Sequence, residues 1–385
     1  MPRKRNGIYP NAVVPPLDIS STFYFENTAD VVAYHQGRNR LGRYARYDNA
    51  NWVHFERAFA QLEDADEALL FPSGMSAISS TLLALLGSEA VLLYFGKGYR
   101  NIRTFCEDLL PGLGLRTIAV DLSSQDAFNV SMANAPRDRD LILFIEVPTN
   151  PLLLMVDLSQ FEQHEFKSLV IVVDSTLASP INFQPLRHGA SLVVHSASKY
   201  IGGHTDLMAG VVAGDAALID RIRRFRNVTG AIATSATAVQ LSRSLDTLAL
   251  RMRKHNQNGA ALAEFLSSHE NVSKVWYTGL PTHPSYASAA RLLTGHGSVV
   301  SFEIHGGREE ASSLVDRLTV PFMATNFGGQ YSLVEQVRIF TYYHQNDEQC
   351  RRLGIADSLI RLSIGLNELE QLQDDLNAAL TNNRR

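Results

Sequence analysis

Six short runs between residues 90 and 213 are nearly continuous in apolar residues: 90–94, 116–120, 141–147, 169–173, 191–195 and 209–213. Segments of that length, rich in Val, Ile and Leu and without apolar–polar alternation, suit strands buried on both faces. A mostly parallel sheet covered by helices meets that condition. A shorter apolar run, Ala68 to Phe71, and a helical pattern from Ser76 to Leu86 precede the series and continue the strand–helix alternation. The expectation is an α/β unit whose ligand crevice opens at the carboxyl ends of its strands.

The flanks read differently. Residues 1–60 are interrupted by Pro10, Pro15, Pro16, Gly37 and Gly42, which predicts an irregular arm. A long helical stretch over 234–268 leads away from the sheet, and strands are expected at 298–304 and 359–364. Leu366, Leu369, Leu372, Leu376 and Leu380 then recur at spacings of three and four, as on one face of a closing helix. The 385 residues thus divide into an arm (1–60), a large α/β domain (61–245) and a smaller α+β domain (246–385).

Composition narrows the function. A net charge of -4 gives no basic face for nucleic acid. The two local basic clusters, Arg3-Lys4-Arg5 and Arg221 with Arg223, Arg224 and Arg226, read as a solvated arm and a solvated helix face. Cys106 and Cys350 form neither a disulfide framework nor a metal-ligand spacing. No run approaches the roughly 20 apolar residues of a membrane span, and no apolar signal region follows Met1 to Arg5, so the cytoplasm is expected.

The chemistry concentrates after the strand runs. Lys199 follows the run 191–195 within Ser196-Ala197-Ser198-Lys199-Tyr200-Ile201-Gly202-Gly203-His204. Small hydroxyl residues before it and two glycines after it favour a site where backbone approaches a ligand closely. The S-x-x-K pattern of penicillin-binding enzymes also fits Ser196 to Lys199, but the accompanying S-D-N and K-T-G motifs are absent. Asp174 ends the run 169–173, and a carboxylate there is costly to bury unless it meets a cation. A helix N-cap in Asp174-Ser175-Thr176 is the competing reading. Ser73-Gly74-Met75 opens a helix, where free N–H groups and the helix dipole attract an anion. Tyr99 follows the run 90–94 and is available to stack on a ring. A lysine amine, a carboxylate for a pyridinium, a phosphate cradle and a stacking ring are the requirements of pyridoxal phosphate (PLP).

Together with Gly42-Arg43-Tyr44-Ala45-Arg46, Glu146-Val147-Pro148-Thr149-Asn150-Pro151, Gly202-Gly203-His204-Thr205-Asp206 and Arg361-Leu362-Ser363-Ile364-Gly365, these residues resemble the Cys/Met-metabolism family of fold-type-I PLP enzymes. That family includes cystathionine γ-synthase, cystathionine γ- and β-lyases and methionine γ-lyase. The resemblance implies a seven-stranded, mostly parallel sheet domain followed by the smaller α+β domain. It makes Lys199 the residue that holds PLP as a Schiff base and later shuttles protons, and Asp174 the pyridinium partner. Asn150 is implied to contact the cofactor's 3′ oxygen, and Gly74, Met75, Ser196 and Ser198 to hold the phosphate. Tyr44 and Arg46 would reach across from a neighbouring subunit, which implies an active dimer and, in this family, usually a homotetramer. Arg361 corresponds to the clamp on the substrate α-carboxylate, and Tyr99 to the stacking tyrosine that assists proton transfer.

The distal half departs from the family. Its usual Asn-Pro-Thr is Asn49-Ala50-Asn51, and Tyr99 is followed by Arg100 and Arg103 in place of two glycines and a threonine. The usual Gly-Gly-x-Glu-Ser appears as Gly328-Gly329-Gln330-Tyr331-Ser332, and Met-Thr-His as Tyr342-Tyr343-His344. Tyr331, standing where a glutamate commonly faces the far end of the substrate, argues against a distal ammonium as in cystathionine; Tyr331, Ser332, Tyr44 and Asn150 are counted with Arg361 as substrate-binding residues. The expected activity is γ-elimination or γ-replacement on a homoserine or homocysteine derivative. Cleavage at Cβ, or a non-catalytic PLP-binding homologue, are the alternatives.

Overall fold

The computed structural model describes residues 13–38, 43–87 and 89–381, so Arg3-Lys4-Arg5, Pro10 and Gly42 lie outside the described residues. The strand runs become β1 (Glu67–Phe71), β2 (Val91–Phe95), β3 (Arg116–Val120), β4 (Asp140–Glu146), β5 (Ser168–Asp174), β6 (Leu192–Ser196) and β7 (Gly210–Gly214). They form one sheet in the order β1-β7-β6-β5-β4-β2-β3, with only β7 antiparallel to its neighbours. Alternate side chains feed two cores. Leu92, Phe144, Val172, Val194 and Val212 pack with Ile78 and Leu82 of the helix Gly74–Leu85. Leu93, Leu143, Ile145, Ile171 and Val173 fill the other cluster, which explains the lack of alternation in the sequence. Each such aliphatic side chain contributes roughly 1.5–3 kcal/mol on full burial.

A second sheet holds β8 (Val272–Trp276), β9 (Val299–Ile304), β10 (Phe322–Met323), β11 (Leu333–Gln336) and β12 (Leu359–Ser363), in the order β10-β11-β12-β9-β8. The helix Leu369–Thr381 buries Leu372, Leu376 and Leu380 against this half of the molecule; Leu366 precedes it.

Three expectations are corrected. The arm contains two helices, Thr28–His35 and Ala50–Glu63, each started by an asparagine side chain that accepts a backbone N–H. The stretch 234–268 is two helices, Ser235–Leu245 and Leu248–Ser268. At the break, Arg251 donates to the carbonyls of Ser244, Tyr200 and Ile201, so a side chain occupies the interrupted backbone. Finally, the basic face of the helix Ala216–Thr229 is not wholly solvated: Arg226 is buried and pairs with Glu56 at 2.8 Å, while Arg223 meets Glu67.

Candidate active site

Lys199 sits in the connection between β6 and β7, just past the carboxyl end of the parallel strands. Its turn is tied down by its own N–H donating to Ser196 O (3.1 Å) and by Gly203 N–H donating to Lys199 O (2.7 Å). The half-buried amine donates to Asn326 Oδ1 and lies 5.1 Å from the Phe327 ring centroid. Burial, and secondly the Arg361 charge, push its pKa down to about 8. The neutral, nucleophilic amine therefore grows as pH rises through about 8. Stripped protein should accordingly recover visible absorbance with PLP at a rate that climbs with pH around that midpoint. A rate flat across that range would contradict the placement.

Asp174 is the last residue of β5 and lies opposite Glu146, the last residue of β4. Its Oδ1 accepts from Thr176 N–H (3.0 Å) and Thr176 Oγ1 (2.5 Å), so the sequence Asp174-Ser175-Thr176 makes a local turn; the next helix starts only at Ser179. Both of these bonds go to Oδ1, and among the described residues Oδ2 accepts none, which leaves it for another donor. Burial raises the carboxyl's pKa, opposed by the Thr176 bonds and the His195 charge. A cation there would restore the ionised form.

The helix Gly74–Leu85 starts beside Ser196. Ser73 Oγ caps Ser76 N–H at 3.0 Å, and the Gly74 and Met75 N–H groups have no intrahelical acceptor. A Cβ on Gly74 would stand 2.7 Å from Ser196 Cβ, and one on Gly210 only 2.2 Å from Ser73 O. Glycine is required at both positions for the turn to lie this close. Ser175 Oγ is buried without a partner, whereas Ser198 Oγ exchanges bonds with the Ala209 backbone at 3.0 and 3.2 Å.

Arg361, on β12, is 5% exposed and donates through Nη1 to Asn150 Oδ1 at 2.9 Å. Its Nη2 reaches Asn326 O at 3.5 Å, Glu335 Oε1 lies 3.2 Å from Nη1, and Nε has no acceptor. Tyr99 N–H donates to Glu146 Oε2 at 2.7 Å, and its hydroxyl accepts from Asn101 at 3.1 Å. Burial first, then the Glu146 charge, raises the Tyr99 pKa; burial and then Asp174 raise that of Glu146 well above the usual range.

The remaining expected residues are less convergent. Ser332 is buried, and its hydroxyl donates to Asn367 Oδ1 (2.7 Å) and accepts from Gly365 N–H (2.9 Å). Tyr331 is half exposed and meets Phe322 edge-on at 5.7 Å. Tyr44 and Arg46 make no hydrogen bond or ion pair with Lys199, Gly74 or Ser196 among the described residues; Arg46 donates to Asn227 O. Arg100 donates to Thr341 O at 3.1 Å, while Arg103 is buried against the Tyr342 ring. Sequence reasoning quoted Thr176 only within Asp174-Ser175-Thr176 and missed Asn326, Phe327 and Glu335; all four touch the central residues.

An anion cradle held open by Gly74, an incompletely bonded Asp174 and a lysine amine of lowered pKa fit PLP. Comparison with known proteins agrees. The family described as "Cys/Met metabolism PLP-dependent enzyme" matches residues 3–381. Cystathionine gamma-synthase 1, chloroplastic, of Arabidopsis thaliana is 36% identical over 98% of this chain and 67% of its own. Cystathionine gamma-lyase of Sus scrofa is 34% identical, covering 96% of this chain and 89% of its own. The crystal structure of cystathionine gamma synthase from Xanthomonas oryzae pv. oryzae in complex with cystathionine superposes with a TM-score of 0.89 at 33% identity, over 99% of this chain and 95% of that one. The chain belongs to the Cys/Met-metabolism family of PLP-dependent enzymes. PLP is its cofactor, and elimination or replacement at Cγ of an amino acid is its class of reaction. No helix among the described residues is long and apolar enough to cross a membrane.

Proposed function

We propose that this enzyme acts on an O- or S-substituted homoserine, with Arg361 as the clamp on the α-carboxylate and Lys199 as the proton carrier. The observation that carries the reading is Asn326, whose side chain meets the Lys199 amine and whose carbonyl meets Arg361 Nη2. Clamp and base converge on one residue, so a carboxylate held by Arg361 presents its Cα to Lys199 Nζ. Arg361 retains an unpaired Nε–H and a planar donor edge, the geometry that a carboxylate accepts in bidentate form. Bound PLP supplies an electron sink that acidifies Cα–H. Lys199 takes the proton from Cα and moves protons at Cβ, and a lowered pKa suits it to do both near neutral pH. Asp174 Oδ2 is assigned to the pyridine nitrogen, Asn150 to the 3′ oxygen, and Gly74, Met75, Ser196 and Ser198 to the phosphate. Tyr99, its backbone fixed by Glu146, would stack on the cofactor ring.

Tyr331 supports the choice of substrate. An uncharged phenol beside Phe322 offers no counter-ion to a distal ammonium, whereas it accepts an acyl or alkyl group. We further propose that the arm with Tyr44 and Arg46 completes the site of a neighbouring subunit, that the unit is a cytoplasmic homotetramer, and that the division at residues 60 and 245 marks its domains. The exposure of Tyr44 and the stacking of Arg46 on the Tyr44 and Tyr47 rings, with no hydrogen bond or ion pair to their own Lys199 among the described residues, support the first part.

The test is a substrate panel of cystathionine, methionine, homocysteine, O-acetyl- and O-succinylhomoserine and cysteine, with and without a thiol. The expected result is 2-oxobutanoate from an O-acylhomoserine, or a thioether when thiol is added, with cystathionine a poor substrate. Pyruvate from cystathionine or cysteine as the dominant product would replace this reading with β-cleavage.

A further inference from the structure

Glu335 is the carboxylate that the substrate clamp leans on. It lies on β11 directly opposite Arg361 on β12, so the backbone register fixes their spacing. The side chains are 1% and 5% exposed, and Oε1 stands 3.2 Å from Nη1. Neither Glu335 oxygen receives a hydrogen bond. The good hydrogen bond of Nη1 goes to Asn150. The contact with Glu335 is therefore one of charge, and it leaves Nε without an acceptor and Nη2 with only a long contact to Asn326 O at 3.5 Å. Burial raises the Glu335 carboxyl's pKa, opposed first by the Arg361 charge and then by Lys199, so the two cations favour its ionised form. A buried guanidinium beside a lysine needs a compensating charge, or it turns toward the nearest carbonyls.

We infer that Glu335 is a positioning residue for substrate recognition: it holds the Arg361 guanidinium by charge without taking up Nε or the weakly held Nη2, which stay open to the α-carboxylate. This rests on Arg361 being the clamp. A neutral residue of the same shape would let Arg361 tighten onto Asn326 O, which Nη2 now reaches only at 3.5 Å, or onto the substituted side chain itself. Substrate would then have to break those bonds before binding.

The experiment compares E335Q, R361A and the double variant in the holoenzyme with the best substrate of the panel, and measures glycine binding through cofactor absorbance. E335Q is expected to raise KM and the glycine Kd about tenfold or more, with kcat changed less than about threefold and the cofactor spectrum retained. In the R361A background the same substitution should add nothing to KM, because its effect runs through Arg361. Glu335→Asp, which keeps the charge, should recover most of the loss. A KM within about twofold of the parent for E335Q, an equal added loss in the R361A background, or a Glu335→Asp variant no better than E335Q would each overturn the inference. If E335Q does not fold, the Glu335→Asp comparison still decides it: its KM must stay nearer the parent than that of R361A. An unchanged KM in R361A would instead overturn the clamp reading on which the inference stands.

Discussion

Lys199→Ala is expected to purify without the visible absorbance of bound cofactor chemistry at the amine and to lose about 10³-fold or more in kcat, since it removes both attachment and proton transfer. That loss corresponds to about 4 kcal/mol of barrier. The fold should survive. Lys199 is only half-buried, its side-chain bond is to Asn326, and the turn is held by backbone bonds that alanine also makes. Spectra and steady-state rates, with a thermal melt as control, check this. Parent-like absorbance in Lys199→Ala would sink the assignment, because Lys97, which follows β2 at the same sheet edge, is engaged with Asp121 and Ser123.

Arg361→Ala has the second largest expected effect. Its kcat/KM should fall about 10²–10³-fold while the cofactor spectrum persists, the scale of truncating one partner of a buried charge pair. Arg361→Lys should recover little, because an ammonium cannot present a planar pair of donors. Loss of cofactor in place of loss of substrate affinity would contradict the clamp. The variant should also melt at lower temperature, because Glu335 is left buried without its cation.

The sheet of the large unit was legible because a strand covered on both faces has little freedom in composition. The runs ending at Asp174 and near Lys199 are of that kind, and each expected strand lies within one or two residues of the observed one. The clamp's surroundings were not legible. β11 is four residues long and β10 two, too short for a period to emerge, and Asn326 and Phe327 lie in the loop between them. Glu335 looks like an ordinary acidic residue until β11 is set against β12. Arg226 was misread for a similar reason: its partner Glu56 is 170 positions away, so a buried ion pair looked like a solvated cation. The break before Leu248 carries no Gly or Pro, and is instead filled by Arg251.

Asn326 has a consequence for how the enzyme reads its substrate. Lys199 belongs to a connection of the first sheet and Arg361 to a strand of the second, and the contacts of Asn326 fasten one to the other. With Arg361 as the proposed carboxylate clamp and Lys199 as the proposed base, an amino acid spanning them would be a strut between the two halves. Shortening or neutralising that strut does more than weaken a grip. On that proposed reading it would also detune the distance across which the proton travels, because the contacts of Asn326 join the clamp to the base.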